Sequence, residues 1–341
     1  MKTIENQCAQ LSFDLHGGAI VDFHLKSNKI NPFTWKVTTA QMPTNNKSGA
    51  VFQGHFLCLG RWGAPTDGEM KAGVPHNGQA GRDMWLLDFS TKLGFAKMSA
   101  KAPIDGITVE RTIQMDVKSA AYKVTEKVKN VTSIGRLFNM VQHATIGAPF
   151  LDSTTTIASN AKQGFLQSMC YPNPSAYEFV FPNADADSTK TPLDLSTSNN
   201  KNSYVSTHIF ADSIGWIVAA TPNKKILVGY VWKTKDYPWL NLWQQWVDGK
   251  LWAKGLEFGT TGIGKSYQEL LAVDTRFHGR QSFFFLDATE VVEKSYISFE
   301  MEISADFKGV EKLKLENGKI EIVEKGNSFI NYILNTDLIF E

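Results

Sequence analysis

The sequence has little cysteine and lacks the histidine pairs that commonly bind metals. Its three cysteines among 341 residues, Cys8, Cys58 and Cys170, lie far apart and form no CxxC pair, so the sequence predicts neither a disulfide framework nor a cysteine zinc site. HxH and HxxxH pairs are absent as well. Metal catalysis therefore has no support in the sequence, and we expect neither a metal nor a cofactor.

Long apolar runs and an excess of charge are also missing. The chain has no run of about 18 apolar residues, the length that predicts a membrane-spanning helix. Its start, MKTIENQCAQLSFDL, lacks the apolar core of a signal peptide, which leads us to expect a cytoplasmic protein. The net charge of +1 favours neither nucleic acid nor an anionic membrane as a partner.

The chain does contain short strand patterns from end to end. Apolar and polar residues alternate in 107–116 and 121–129, which is typical of half-buried antiparallel strands. Asn317 and Gly318 give a strong hairpin signal between two further patterns. No long window has helical periodicity. We therefore predict an all-β protein, a single antiparallel sandwich of large sheets that spans residues 1–341.

A polar segment at about 183–203 interrupts these patterns. It is rich in turn-forming residues and poor in apolar ones, which predicts a surface loop or insertion rather than a domain boundary. Its acidic and amide residues have offsets like those of a calcium loop, but Ser188 replaces the glycine that such a loop needs. We interpret the segment as a solvated loop; the residues at these offsets are Asn183, Asp185, Asp187 and Asp194.

The glycine-rich run GLEFGTTGIGKS, at 255–266, supports two incompatible interpretations. From Gly259 it matches a phosphate loop, in which Lys265 would reach the phosphates and Ser266 would bind Mg²⁺. The chain after Ser266 is too short for the long helix that such a loop opens, and no βαβ pattern surrounds it. In the second interpretation Glu257 ends a strand and acts as a general base in a sugar site. We prefer the second interpretation.

Three polar segments carry the candidate chemistry: 60–85, 139–151 and 243–257. Each of their polar and aromatic residues taken alone is most simply structural. Asp67 and Glu69 leave open a glycosidase, in which one of them would pair with Glu257. The candidate site residues are Arg61, His76, Gln79, Arg82, His143, Trp243, Trp246 and Glu257.

Taken in order, these segments resemble the aldose 1-epimerase (galactose mutarotase-like) superfamily. The resemblance rests on GVPHNGQAG followed by Trp85, then QHATIGAPF, then GLEFGTTG, and the opening LSFDLHGGAIVDFHL resembles the first hairpin of that family. The sequence departs from the family pattern at Asn77, which separates His76 from the glycine, and at Phe258, where a proline is frequent. The resemblance implies an antiparallel β-supersandwich with an open sugar-binding cleft.

The resemblance also implies roles for individual residues. His76 would bind near the ring oxygen, His143 would be the general acid, and Glu257 would be the general base. A carboxylate beside His143 would raise the pKa of its imidazole. Of the remaining candidates, Arg61, Gln79 and Arg82 would bind sugar hydroxyls. Trp243, Trp246 or Trp62 would stack on the ring of the sugar.

The expected function is therefore that of an isomerase of the aldose 1-epimerase type. It would interconvert sugar anomers by acid–base ring opening, with a small-molecule carbohydrate as its partner and with a monomer or dimer as its assembly. Two alternatives stay open: a carbohydrate-binding protein without catalysis, and a nucleotide binder that uses the phosphate-loop pattern at 259–266.

Overall fold

The computed structural model describes residues 1–38, 41, 51–91, 94–185, 191–330 and 332–340. The first strands along the chain are β1 Lys2–Glu5, β2 Ala9–Phe13, β3 Ile20–Leu25, β4 His55–Leu59, β5 Leu86–Thr91, β6 Phe95–Ala102, β7 Ile107–Met115, β8 Ala121–Asn130, β9 Arg136–Phe138, β10 Met140–Ile146, β11 Thr156–Ser159 and β12 Gln163–Leu166. The later strands are β13 Phe179–Val180, β14 Asn183–Asp185, β15 Pro192–Asp194, β16 Tyr204–Ile209, β17 Ile214–Thr221, β18 Ile226–Lys233, β19 Trp239–Val247, β20 Lys250–Gly259, β21 Phe284–Leu286, β22 Val291–Glu302, β23 Val310–Glu316, β24 Lys319–Glu324 and β25 Tyr332–Asn335. The helices are short: α1 Asp67–Lys71, α2 Tyr267–Ala272 and the 3-10 turns Gln79–Gly81, Gln167–Met169 and Pro222–Lys224.

Two large sheets contain most of these strands. Twelve strands form one sheet in the order β1-β2-β3-β4-β10-β20-β19-β16-β12-β13-β14-β15, and eight form the other in the order β11-β17-β18-β22-β8-β7-β6-β5. Within each of the two sheets the described strands pair antiparallel. Examples are β10 with β20 in the larger sheet and β7 with β8 in the smaller one. The prediction of an all-β antiparallel β-supersandwich is confirmed.

The main hydrophobic core lies between the two sheets. Leu57, Met140 and Leu256 of the large sheet join Val124 and Val228 of the smaller sheet in one buried cluster. Full burial of an aliphatic side chain of this size contributes about 1.5–3 kcal/mol, so contacts of this kind hold the sheets together. The alternation seen in the sequence of β7 and β8 corresponds to one core-facing and one exposed side of these strands.

The central strands of the large sheet, β4, β10, β20 and β19, are buried on both faces. Alternate residues of each strand enter the main core, while the residues between them point to the opposite face. Gln142 points into the main core, since its amide donates a hydrogen bond to Glu126 of β8 on the other sheet. His143 therefore belongs to the opposite face, which the connections before β4 and after it cover with aromatic side chains. This covered outer face contains the candidate site.

The C-terminal strands form a separate three-stranded sheet, β23-β24-β25. Its hairpin turns at Asn317 and Gly318, which both have positive φ (54° and 72°), so the predicted hairpin is confirmed. Leu313 and Ile320 of this sheet pack in a second core cluster with Val218 of β17. The small sheet thus covers the outer face of the eight-stranded sheet.

The polar segment 183–203 contains more regular structure than the sequence indicates. Two of its parts are the strands β14 and β15, which pair with each other and extend the large sheet at its edge. Asp187 and Ser188, which belong to the calcium-loop interpretation, lie outside the described residues. Asp194 uses its carboxylate to accept bonds from the backbone and hydroxyl of Ser196, which is an ordinary turn interaction.

Candidate functional site

The candidate site is built around His143 and Glu257 on adjacent strands. The register of β10 against β20 pairs Gln142 with Phe258 and Thr145 with Gly255, which places His143 opposite Glu257. Directly opposite residues in an antiparallel pair lie on the same face of a sheet. His143 Nε2 is 3.2 Å from Glu257 Oε1. The structure thus brings together two residues that are 114 positions apart in the sequence (257 − 143).

The imidazole of His143 is held on two further sides. Its Nδ1 atom lies 2.9 Å from the hydroxyl of Thr145, the next residue of β10 on the same face. The Phe56 ring stacks on it with ring centroids 4.3 Å apart and an angle of 22° between the planes. Phe56 is the direct neighbour of His143 on β4. Backbone register therefore fixes the position of the histidine as well as that of its carboxylate partner.

A cavity of about 260 Å³ opens on this pair. Its wall is mainly aromatic, and the three residues His76, His143 and Glu257 all line it. Trp243 lies edge-on to the His143 ring, with centroids 5.8 Å apart, and also contacts Trp35 and Trp252. Such a wall suits a ligand with flat apolar faces and a few polar groups. The residues of the wall that have no role in the predictions from sequence are Trp35, Val37, Gln41, Phe52, Phe56, Asn77, Val205 and Trp252.

Burial shifts the proton affinities of the pair in opposite directions. It raises the pKa of Glu257 well above its ordinary value, and the Trp62 indole opposes this shift by a smaller amount. Burial also lowers the pKa of His143 to about 3, and the nearby His76 lowers it further. The pKa of His143 is thus lowered rather than raised as expected from the neighbouring carboxylate, because loss of hydration dominates. Both shifts favour the uncharged forms, a carboxylic acid that can donate a proton and an imidazole nitrogen that can accept one.

His76 reaches the same cavity from the connection between β4 and β5. Its neighbour Asn77 has a left-handed backbone (φ 61°) and is fixed by two bonds to Gly63: its amide N–H donates to the Gly63 carbonyl, and its side-chain oxygen accepts the Gly63 N–H. Burial and the Arg61 charge lower the pKa of His76 to about 4. His76 Nδ1 is buried and forms no hydrogen bond with the residues that the structure describes. Asn77, an apparent departure from the family pattern, thus orients the histidine.

Three predicted substrate-binding residues instead make structural contacts. Arg61 is buried, and its two terminal nitrogens each donate a hydrogen bond to the Glu69 carboxylate, at 2.8 and 2.9 Å. Gln79 is buried and accepts the backbone N–H groups of Ile104 and Asp105. Arg82 pairs with Asp83 at 2.6 Å. None of the three lines the cavity described above.

Two of the three predicted stacking tryptophans, Trp243 and Trp62, line the cavity, and Trp246 does not. Trp246 is three residues from Trp243 on β19, so strand alternation turns it to the other face of the sheet. A β-bulge in β20 adds one residue, Trp252, opposite the step from Gln245 to Trp246. No local pattern in the sequence indicates this bulge. Trp252, in the same segment, takes the place in the wall that the sequence analysis predicts for Trp246.

The structure contradicts the phosphate-loop interpretation of 259–266. Gly259 ends β20, which pairs antiparallel with both of its neighbours, whereas a phosphate loop follows a strand of a parallel sheet. The helix that follows, α2, has six residues. Lys265 lies 3.3 Å from Glu269 of that helix. The glycines of this run serve close packing instead: a side chain at Gly262 would meet the Trp239 ring at 2.2 Å.

Other features bear on the functions considered from sequence. Glu69 is a possible glycosidase partner for Glu257, but its carboxylate accepts a hydrogen bond from Arg61. The three cysteines are free thiols, and among the described residues no group of three His, Cys, Asp or Glu could hold a metal ion. No helix in the described part of the chain is long and apolar enough to cross a membrane.

Comparison with solved structures defines the class of fold. A galactose mutarotase related enzyme from Lactobacillus acidophilus has a TM-score of 0.62 at 12% identity, with 92% of this chain and 99% of that chain covered. A galactose mutarotase-like protein from Clostridium acetobutylicum has a TM-score of 0.57 at 11% identity (88% and 95% covered), and an aldose epimerase homologue from C. elegans has 0.61 at 11% (89% and 98% covered). The chain therefore has the galactose mutarotase-like fold.

The family can be stated more narrowly. A family model described as "Domain of unknown function (DUF4432)" matches residues 98–270, and the chain belongs to this family. The matched region contains His143 and Glu257 but not His76. No curated protein matches the sequence.

Proposed function

We propose that the protein is an isomerase that interconverts the α and β anomers of a reducing sugar. The observation that carries the proposal is the position of His143 Nε2, 3.2 Å from Glu257 Oε1, in the wall of an aromatic cavity. Anomer exchange requires one proton donor and one proton acceptor near the anomeric carbon. The pair provides both, because burial leaves it with one proton to donate and one basic atom that can accept a proton.

The reaction uses the proton donor and the proton acceptor of this pair in the same step. One member of the pair protonates the ring oxygen while the other takes the proton of the C1 hydroxyl, and the C1–ring oxygen bond breaks. The product is the open-chain aldehyde, which rotates about the C1–C2 bond. The ring hydroxyl then adds to the other face of the aldehyde, and the two proton transfers run in reverse. Protons and electrons balance without a cofactor, and both groups return to their initial state.

The remaining cavity wall suits a sugar ring. Aromatic side chains stack on the apolar C–H faces of a pyranose, and Trp243, Trp35 and Trp252 form a connected cluster beside the pair. His76 has a buried ring nitrogen without a described partner, which can bind a sugar oxygen or hydroxyl. The structural neighbours named above, which are mutarotase-related, support the same class of reaction.

The proposal is tested by NMR measurement of α–β exchange for a panel of aldoses. The wild type should accelerate the exchange, and Glu257→Gln should reduce the rate about 10²–10⁴-fold, since it keeps the shape but removes the proton transfer. Glu311→Gln is the matched control, because Glu311 is exposed on β23 in the separate three-stranded sheet and does not line the cavity. A wild type that binds sugars without accelerating exchange would show a binding protein and overturn the proposal.

A further inference from the structure

A second cavity, of about 360 Å³, adjoins the candidate site. Trp243 and Val205 line both cavities, so the two spaces are neighbours on the same face of the large sheet. The second cavity is also lined by Gln167 and Ser168 from a 3-10 turn and by Gln245 from β19. The shared tryptophan places the second cavity beside the position that a ligand of the first cavity would occupy.

The polar segment 183–203, which the candidate site does not use, builds one wall of the second cavity. Leu193, Asn202 and Ser203 come from this segment. Ser203 Oγ accepts the backbone N–H of Trp246 at 2.9 Å, which fastens the end of the segment to β19. The described end of the segment, 191–203, thus has a defined position on the large sheet.

Two fully buried polar side chains of the sheet anchor this wall. Lys254 Nζ on β20 donates to the Thr197 carbonyl at 2.9 Å and to Gln244 Oε1 at 2.9 Å. The Gln244 amide donates in turn to Asn200 Oδ1 at 2.6 Å and to the Asn202 carbonyl at 2.9 Å. Burying a lysine and a glutamine is unfavourable unless they are hydrogen-bonded, and here the segment supplies most of the acceptors. Buried polar contacts of the sheet therefore hold this wall in place.

The lining of the second cavity combines hydroxyl and amide groups with an aromatic ring. Ser168, Ser203 and Gln245 offer donors and acceptors, while Trp243 offers a ring surface. This combination matches a saccharide, which presents hydroxyls around its rim and C–H groups on its faces. We propose that the second cavity is a subsite for a second sugar unit, so that the protein acts on reducing disaccharides or longer reducing saccharides.

The linkage of such a ligand follows from the chemistry of the first cavity, and this step depends on the proposed function. Ring opening requires a free C1 hydroxyl on the sugar next to His143 and Glu257. The second unit must then be joined through another hydroxyl of the first sugar, as in lactose, maltose or cellobiose. A glycoside with a blocked C1 would fit the same space but could not react.

The test compares each of these disaccharides with its reducing-end monosaccharide, glucose. Exchange kinetics should give a kcat/KM for at least one disaccharide that is about tenfold above that for glucose, the effect of a modest extra contact energy. Ser168→Trp, at an exposed position that lines the second cavity, should fill the subsite and abolish this preference. Gln245→Ala, which removes one amide from the lining of the second cavity, should weaken the preference without filling the subsite. Ser328→Trp is the matched control, since Ser328 is exposed between β24 and β25.

Calorimetric binding of the same sugars separates this inference from the proposed function. Tighter binding of a disaccharide than of glucose, weakened by Ser168→Trp and not by Ser328→Trp, supports the subsite even if no sugar is turned over. Anomer exchange of glucose with no preference for any of the three disaccharides, in kinetics or in binding, would overturn the subsite and leave the proposed function intact. A Ser168→Trp protein that folds normally and keeps the preference would overturn the subsite as well.

Discussion

His143 and Glu257 face each other because their strands pair in one particular register, with Gln142 opposite Phe258 on one side and Thr145 opposite Gly255 on the other. A shift of the register by one residue would turn one of the two side chains into the core between the sheets. The 3.2 Å separation is therefore a property of the sheet rather than of flexible side chains. A site built on paired strands keeps its geometry without a bound ligand.

If the two residues act as one proton-transferring unit, their substitutions should not be additive. We expect His143→Gln and Glu257→Gln each to lower kcat for anomer exchange by about 10²–10⁴-fold. The double variant should be scarcely slower than either single variant, since one missing partner already disables the unit. Exchange kinetics of the three variants measure this directly. Losses that multiply in the double variant would show that the residues act independently.

The depressed pKa of His143 predicts an unusual titration. Its ring should remain neutral well below the ordinary histidine pKa of about 6.5, down towards pH 3, as read from its ¹⁵N chemical shifts. In the unfolded chain the same ring binds a proton below about pH 6.5, so wild type should lose stability relative to His143→Gln as the pH falls from about 7 to 4. Denaturant unfolding at several pH values measures the second effect. Protonation of His143 near pH 6.5 would contradict the account of the pair.

The anchor at Lys254 predicts a local effect on the polar segment. Lys254→Met removes the bonds to the Thr197 carbonyl and to Gln244. Net hydrogen-bond contributions are about 1 kcal/mol each, so transient opening of the segment should increase about tenfold or more. Limited proteolysis within 195–203 reports this opening. Lys250→Met, at an exposed position of the same strand, is the control. Equal cleavage of the two variants would show that Lys254 does not hold the segment.

Arg61 should contribute to stability rather than to sugar binding. The pair of Arg61 with Glu69 is 8% and 30% exposed, so Arg61→Met should lower the free energy of unfolding by about 2–4 kcal/mol. Arg276→Met is the matched control: its pair with Asp274 is 59% and 61% exposed, so solvent screens the interaction and its loss should leave the stability almost unchanged. Denaturant titration measures both values. A stable Arg61→Met protein with weakened sugar binding would instead restore the role predicted from sequence.

The sequence patterns predict an antiparallel sandwich and the C-terminal hairpin, while the β-supersandwich follows from the family resemblance. The alternation in β7 and β8 and the turn at Asn317 are local patterns, and local patterns are visible in one dimension. The strands β14 and β15 have no recognisable sequence pattern, because they are very short and are defined by pairing at a sheet edge rather than by apolar periodicity. A single sequence gives little information about which strands pair when they are far apart along the chain.

The same limit applies to the candidate site. His76, His143 and Glu257 were found through short motifs, and the structure places all three in one cavity wall. Phe56 and Trp35 give no such signal, because an aromatic residue of a binding wall looks like any other buried aromatic residue. Arg61 is a candidate from sequence because a charged residue in a glycine-rich loop suggests function, while its partner Glu69 becomes visible only when the loop is folded.

The most direct test of the central claim is the rate of α–β exchange of a reducing sugar, measured by saturation-transfer NMR with the wild type and with Glu257→Gln at equal concentration. The account predicts acceleration by the wild type and a rate close to that of buffer with the variant. Equal rates for the two proteins, or no acceleration with any sugar of the panel, would contradict it.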